Sequence, residues 1–329
     1  MTSKPFSWST TGDEVVQAFA DRVKGRTFLI TGASANSIGA ETAITLARHG
    51  SPAQIILPGR SQSKIDPVIA TIKDLNPEVK VKFVPLDLSS PSSVRAAAAQ
   101  ILSDPEVEKI DVLINCAGVM VCPYTAVPEF KDKQGRPLER QFATNHVGHF
   151  LFTNLLLEKV RKAAPGARIV NVSSSGHRLG GIRWDDVGFE NGKVYDVWDA
   201  YGQSKTGNIL MAAYLASKIP SHEVASFSLH PGNVPSELQR YMTPEMLQDG
   251  TSRIVNGEPP LVSQSVRKTQ QQGVATGLVA ALDPALQAHS GAYLSDCQIK
   301  TPAEHARGQD NAERLWKLSE EIVGQEFHI

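Results

Sequence analysis

Runs of apolar, β-branched residues alternate along this chain with segments of helical period, and that alternation most narrowly limits the fold. Strands are expected at Thr27 to Thr31, Gln54 to Leu57, Val81 to Pro85, Val112 to Asn115, Arg168 to Val172 and Ala225 to His230, with a last one at Ala292 to Leu294. Helices are expected at Gly39 to His49, Lys64 to Leu75, Ser92 to Leu102, Phe142 to Ala163 and Tyr201 to Lys218. Strand, helix and strand in repetition imply a parallel sheet with crossover helices. The fold class is α/β, a doubly wound parallel sheet of about seven strands with helices on both faces.

No internal repeat or low-complexity linker divides the 329 residues, so one domain is expected over 1–329. Residues 1–26 form an N-terminal extension, and 311–329 a C-terminal helix and tail whose Leu315, Leu318 and Ile322 pack on the body. The stretch 238–268 is rich in Pro, Gly, Gln and Ser, supports no long regular element and reads as a substrate loop. A formal net charge of -1 provides no field for a polyanion, which argues against nucleic acid as a partner. The N-terminus lacks a secretory core, no apolar run of about 18 residues follows, and three cysteines make no disulfide framework. A soluble cytoplasmic protein without a membrane partner is expected.

The first strand runs straight into TGASANSIGAETA, joining strand to helix through a Gly-containing turn. Glycines there let backbone N–H groups approach a pyrophosphate, and the following helix points its positive end at the charge. The second strand ends at Arg60, about 20 residues beyond Gly39, in the slot where an acidic residue would bind the ribose of NAD. A cation there, with Ser61 and Lys64 close by, suits the 2′-phosphate of NADP(H).

Tyr201 and Lys205 are one helical turn apart and share a face. A cation beside a phenol favours phenolate, and bringing a tyrosine from near 10 to about 7 takes about 4 kcal/mol. Tyr214 and Lys218 repeat the spacing, but their place deep along the helix turns them away from the first pair. Ser173, Ser174 and Ser175 follow the fifth strand at its C-terminal edge, where open α/β sheets hold ligands.

In this order the segments TGASANSIG, Asp87-Leu88, NCAG from Asn115, NHVGHF from Asn145, NVSSS, YGQSK and HPGNVPS resemble the short-chain dehydrogenase/reductase superfamily, with its Rossmann-type fold. The insert between the serines and Tyr201, with the later SGAYLSDC, is more similar to retinol-dehydrogenase-like and fungal members. The resemblance implies Tyr201 as acid and base, Lys205 lowering its pKa and binding the nicotinamide ribose, Ser174 orienting the substrate oxygen, and Asn145 holding a relay water. It implies a cofactor cradle of Gly32, Ser34, Ile38 and Gly39 in the turn, Arg60 and Lys64 at the phosphate, and Asp87 at the adenine. The backbone of Asn115, Ala117 and Gly118 would line the cleft, and Val234 with Ser236 would meet the carboxamide and phosphate side. A helix-paired homodimer is the oligomeric expectation it brings.

Three departures accompany it. The glycine turn is nine residues long, with Asn36 and Ser37 in place of a middle Gly; Cys116 replaces an Asn; Ser236 replaces a Thr. Asn tolerates positive φ, so the turn can still form. His146 and His149 lie three apart without metal-binding companions, and no metal site is expected.

The implied activity is hydride exchange between NADP(H) and a carbonyl or alcohol of a small molecule. Trp184, Phe189, Tyr195 and Trp198 make the insert aromatic, which fits a lipophilic substrate or, equally, core packing. A retinoid, a steroid-like ketone and a secondary-metabolism polyketide all stay open. The alternative is a non-catalytic NADP(H)-sensing protein on the same fold.

Overall fold

The computed structural model describes residues 6–253 and 267–329. Its central sheet has eight strands: β1 Thr27–Ile30, β2 Gln54–Gly59, β3 Lys80–Pro85, β4 Val112–Asn115, β7 Ala167–Val172, β8 Val224–His230, β9 Tyr293–Ser295 and β10 Gln298–Lys300. They lie in the order β3-β2-β1-β4-β7-β8-β9-β10. The first seven pair in parallel and β10 returns antiparallel to β9. The parallel core matches the expected strands; β10 is additional, a three-residue edge strand too short to show a pattern. A second small sheet pairs β5 Ala126–Lys131 with β6 Pro137–Glu139. Chain order reverses between β1 and β4, the switch point where a doubly wound sheet opens a crevice.

Helices cover both faces. On one, α4 Pro91–Ser103, α6 Gly148–Arg161, α7 Val197–Lys218 and α10 Gln309–Val323 bury Val94, Phe150, Leu210 and Leu315. On the other, α1 Gly12–Ala18, α2 Ile38–His49, α3 Asp66–Leu75 and α9 Gln270–Leu282 bury Val15, Leu46, Ile72 and Leu278. The helix expected from Phe142 is α5 Arg140–Phe142, then a π segment Ala143–Val147, then α6. Such a bulge redirects side chains within a helix and is frequent at functional sites.

Three helices went unread in the sequence. Helix α9 is buried along most of its length and lacks the polar face that marks a helical period. Helix α1 is held by a capping box of Thr11 and Glu14. Within the expected substrate loop, α8 Pro244–Ser252 forms where Thr243 accepts from the Met246 N–H and Pro244 opens the first turn. Residues 254–266 of that loop lie outside the described residues. Among the described residues no helix is long and apolar enough to cross a membrane.

Candidate active site

A cleft of about 1130 Å³ opens at the C-terminal ends of the parallel strands. At one end lie the β1–α2 turn and the end of β2. Gly32 has φ +76, and a Cβ there would come within 2.6 Å of the Ala117 Cα, so only glycine fits the approach of this turn to the turn after β4. The unusual Asn36 takes φ 61, supplying the left-handed step. Ser37 caps α2, accepting from the Ala40 N–H at 3.0 Å and donating to the Gly32 carbonyl at 2.8 Å. Ser34, Ile38, Arg60 and Lys64 line this end, with Asp87 across from them.

The turn after β4 is braced from below. Thr31 Oγ1 accepts the N–H groups of Cys116 and Ala117, each at 3.0 Å, and bonds His149 Nε2 at 2.9 Å. Ala117 and Gly118 line the cleft. Asn115 does not: its amide donates to Thr153 and Asn171 at 2.8 and 2.9 Å, tying β4 to α6 and β7. The Asn115 side chain is thus a buried brace beneath the turn, leaving any approach to a cofactor to the backbone. His146 bonds Ser319 at 2.9 Å and His149 bonds Thr31, so both histidines are held within the protein.

At the other end Ser174, Tyr201 and Lys205 converge. Helix α7 begins at Val197, capped by Asp196, so Tyr201 stands in its second turn and does not open it. The Tyr201 phenol is 3% exposed, and a Cβ on Gly176 would meet both its ring, at 2.7 Å, and Ser174 Oγ, at 3.3 Å, which places that hydroxyl beside the phenol. Ser173 instead donates to the Lys205 carbonyl at 2.7 Å. Lys205 Nζ lies 5.7 Å from the Tyr201 ring centre and donates to the Val172 carbonyl at 3.0 Å. A Cβ on Gly176 would lie 2.7 Å from the Tyr201 ring, so that glycine admits the phenol.

Burial pushes the Tyr201 phenol up to about 12, opposed by the Ser174 hydroxyl beside it, and pushes Lys205 down to about 8. Without a cofactor, burial is the larger influence on the phenol and the Ser174 hydroxyl the smaller. A phenol in this state stays protonated and can donate.

Asn145 sits in the π segment, behind the cleft wall. Its side chain accepts from Val119 N–H at 2.8 Å and donates to the Val119 carbonyl and Ser204 Oγ, each at 2.9 Å; its carbonyl bonds His149 Nδ1 at 2.9 Å. Val234 and Ser236, on the turn after β8, also line the cleft.

Met120, Trp198, Leu238, Met242 and Leu247 supply apolar lining to the cleft, with Glu237, Gln239 and Arg240 among them. The Trp198 indole donates to the Met246 carbonyl of α8 at 3.2 Å. Of the four insert aromatics, Trp198 alone lines the cleft. Trp184 lies under Arg314, while Phe189 and Tyr195 pack edge to face in the body. Tyr214 stacks on Trp316 with ring centres 4.2 Å apart, remote from Tyr201.

The family model for the short chain dehydrogenase matches residues 26–247. The chain belongs to the short-chain dehydrogenase family. This short-chain dehydrogenase is 37% identical over 303 residues to retinol dehydrogenase 11 of Mus musculus, covering 92% of this chain and 88% of that one. It is 34% identical over 314 residues to a short-chain dehydrogenase/reductase of Penicillium roqueforti, covering 91% and 85%. A solved structure from Mycobacterium paratuberculosis superposes with TM-score 0.67 at 29% identity, over 94% of this chain and 98% of that one. NADPH-bound carbonyl reductase from chicken fatty liver shares the fold, with TM-score 0.58 at 21% identity over 85% and 100%. The short-chain dehydrogenase is thus a carbonyl/alcohol oxidoreductase working with a nicotinamide dinucleotide on a small-molecule substrate.

Sequence reasoning missed Thr31, Met120, Gln141 and the α8 contacts. Thr31 stands inside the quoted turn motif and could have been read as its brace; the others depend on tertiary placement.

Proposed function

We propose that this short-chain dehydrogenase uses NADP(H) to interconvert a carbonyl and an alcohol on a lipophilic small molecule, with Tyr201 moving the proton. The observation that carries the reading is Ser174 beside the buried Tyr201 phenol, in a cleft lined by Met120 and Trp198 at one end and Arg60 at the other. The word retinol in the names of relatives such as retinol dehydrogenase 11 supports a lipophilic substrate.

The turn of Gly32, Ser34, Ile38 and Gly39 would hold the pyrophosphate at the α2 N-terminus. Arg60 and Lys64 would take the 2′-phosphate, Asp87 the adenine, and Ala117, Gly118, Val234 and Ser236 the nicotinamide half. Bound NADP(H) supplies the hydride. Ser174 donates to the substrate oxygen, and Tyr201 passes its proton there as negative charge develops. Its raised pKa keeps the phenol loaded for that step. Lys205, behind the phenol, holds positive charge near the phenolate left behind, and Asn145 keeps the Val119 wall in register. Residues 1–329 form one catalytic domain in this reading, and the three unpaired cysteines fit a reducing, cytoplasmic setting. Use in secondary metabolism would follow from a polyketide substrate.

Fluorescence titration with NADPH and NADH tests it. NADPH binding at least about tenfold tighter is expected, from one charge-assisted contact or more to the extra phosphate. Equal affinities would overturn the cofactor assignment.

A further inference from the structure

Val121 is fully buried and has φ 43, a left-handed conformation that β-branched residues rarely adopt. A residue is held there only when its surroundings over-determine it. Here they do. The Val121 N–H donates to Gln141 Oε1 at 2.8 Å, and the Cys122 carbonyl accepts from the Tyr195 hydroxyl at 2.7 Å. Gln141 is itself fixed: its amide nitrogen donates to Tyr195 Oη at 2.9 Å and to the Val197 carbonyl at 3.0 Å. Glu139 anchors the start of this helix by accepting from the N–H groups of Gln141 and Phe142, and lies 3.3 Å from Tyr195 Oη.

The kink has a consequence for the cleft. Met120 and Val121 pack in one cluster with Trp198 and Tyr201, and Met120 lines the cleft. Val119, one residue earlier, is pinned by Asn145, so the chain between 119 and 122 is held at three points. Gln141 also touches the first residue of α7, the helix that carries Tyr201. One amide therefore links the substrate-facing loop to that helix. Only an amide serves: the site needs an acceptor for Val121 and two donors for Tyr195 and Val197.

We propose that Gln141, oriented by Tyr195, is a positioning residue that holds Val121 in its left-handed backbone and so sets Met120 as the substrate-facing wall beside Tyr201. This rests on the oxidoreductase reading of the cleft. Gln141 and Tyr195 lie outside the cleft lining, so their effect falls on substrate and leaves cofactor affinity alone.

The test compares wild type with Gln141→Met, Tyr195→Phe, Val121→Gly and the double variant Val121→Gly/Gln141→Met. Crystal structures of wild type and Gln141→Met are expected to show Val121 relaxed to negative φ and Met120 displaced in the variant. Met120 and Val121 unmoved would overturn the proposal, whatever the activity. Where Gln141→Met does not fold, Tyr195→Phe carries the same comparison, since it removes only a hydroxyl. In kinetics on a turned-over carbonyl, kcat/KM falls about 10- to 100-fold in Gln141→Met, the scale of an ångström-sized misplacement. NADPH affinity holds within about threefold by the same argument. Glycine accepts the left-handed backbone unaided, so the Gln141→Met loss shrinks to under about fivefold in the Val121→Gly background. Equal losses in both backgrounds would overturn the coupling. Wild type without turnover would count against the proposed function, while the structural comparison still decides the role of Gln141.

Discussion

Arg253 grips Asp196 through two parallel bonds, Nη1 to Oδ1 at 2.9 Å and Nη2 to Oδ2 at 2.7 Å, and so ties the end of α8 to the cap of the helix that carries Tyr201. The same guanidinium reaches Asp249 at 2.7 Å and Asp199 at 3.3 Å. Because α8 supplies Leu247 to the cleft and Met246 to Trp198, this contact latches the substrate side of the fold.

Arg253→Ala should loosen that latch. The side chains of Arg253 and Asp196 are 27% and 34% exposed, so screening limits the contact to about 1 kcal/mol, or about fivefold in KM. The wild-type KM should rise with ionic strength toward the variant value. Steady-state kinetics at low and high salt checks this; a salt-independent wild-type KM contradicts it.

Arg60→Ala should weaken NADPH binding by about 10- to 100-fold and leave NADH binding nearly unchanged, since only the former carries a phosphate for the guanidinium. Parallel titrations read both. Equal weakening of the two cofactors would assign Arg60 to the shared part of the dinucleotide.

Lys205 links function to stability. Its pKa falls from 10.5 unfolded to about 8 folded, because burial disfavours the ammonium. Below the folded value both states are charged and the fold bears the cost of burying the charge. Between about 8 and 10.5 the unfolded chain binds a proton that the folded one does not, so stability rises with pH through that window. The cost is roughly 3 kcal/mol, and losing the bond to Val172 offsets about 1 of it. Lys205→Met should therefore be about 2 kcal/mol more stable at neutral pH, with the gap closing as pH rises. Urea unfolding near neutrality and at high pH measures it; a less stable variant near neutrality contradicts it.

Light scattering should show a monomer. Helix α10 lies on α7, with Trp316 stacked on Tyr214 at 4.2 Å and edge-on to Phe150 at 4.7 Å. A homodimer paired through α6 and α7 would have to displace that helix. A mass of twice 35.6 kDa would show that another surface pairs.

Much of the fold and the site is written in local pattern. The central parallel strands β1, β2, β4, β7 and β8 are runs buried on both faces, and Tyr201 with Lys205 needed only helical spacing. The nine-residue turn was readable because Asn36 is a residue type that accepts positive φ. What escaped depends on distant partners. Nothing local says that Val121 will turn left-handed, since the reason is Gln141, twenty positions along. The motif gave no sign that the Asn115 amide is taken up by Thr153 and Asn171. The burial of Tyr201 escaped as well: spacing shows a nearby cation, while burial, which raises the phenol's pKa, is a property of the whole fold.

The most direct measurement follows NADPH oxidation against a panel of aldehydes and ketones for wild type and Tyr201→Phe, with NADPH binding read by fluorescence. Wild type should turn over a lipophilic carbonyl, with kcat/KM level between about pH 6 and pH 7, where the phenol is protonated and Lys205 charged, and falling above about 8 as Lys205 loses its proton. Tyr201→Phe should lose about a thousandfold in kcat while binding NADPH within about fivefold of wild type. Turnover kept in the variant would remove Tyr201 as the proton donor, and a wild type that binds NADPH yet reduces nothing would make the protein a sensor.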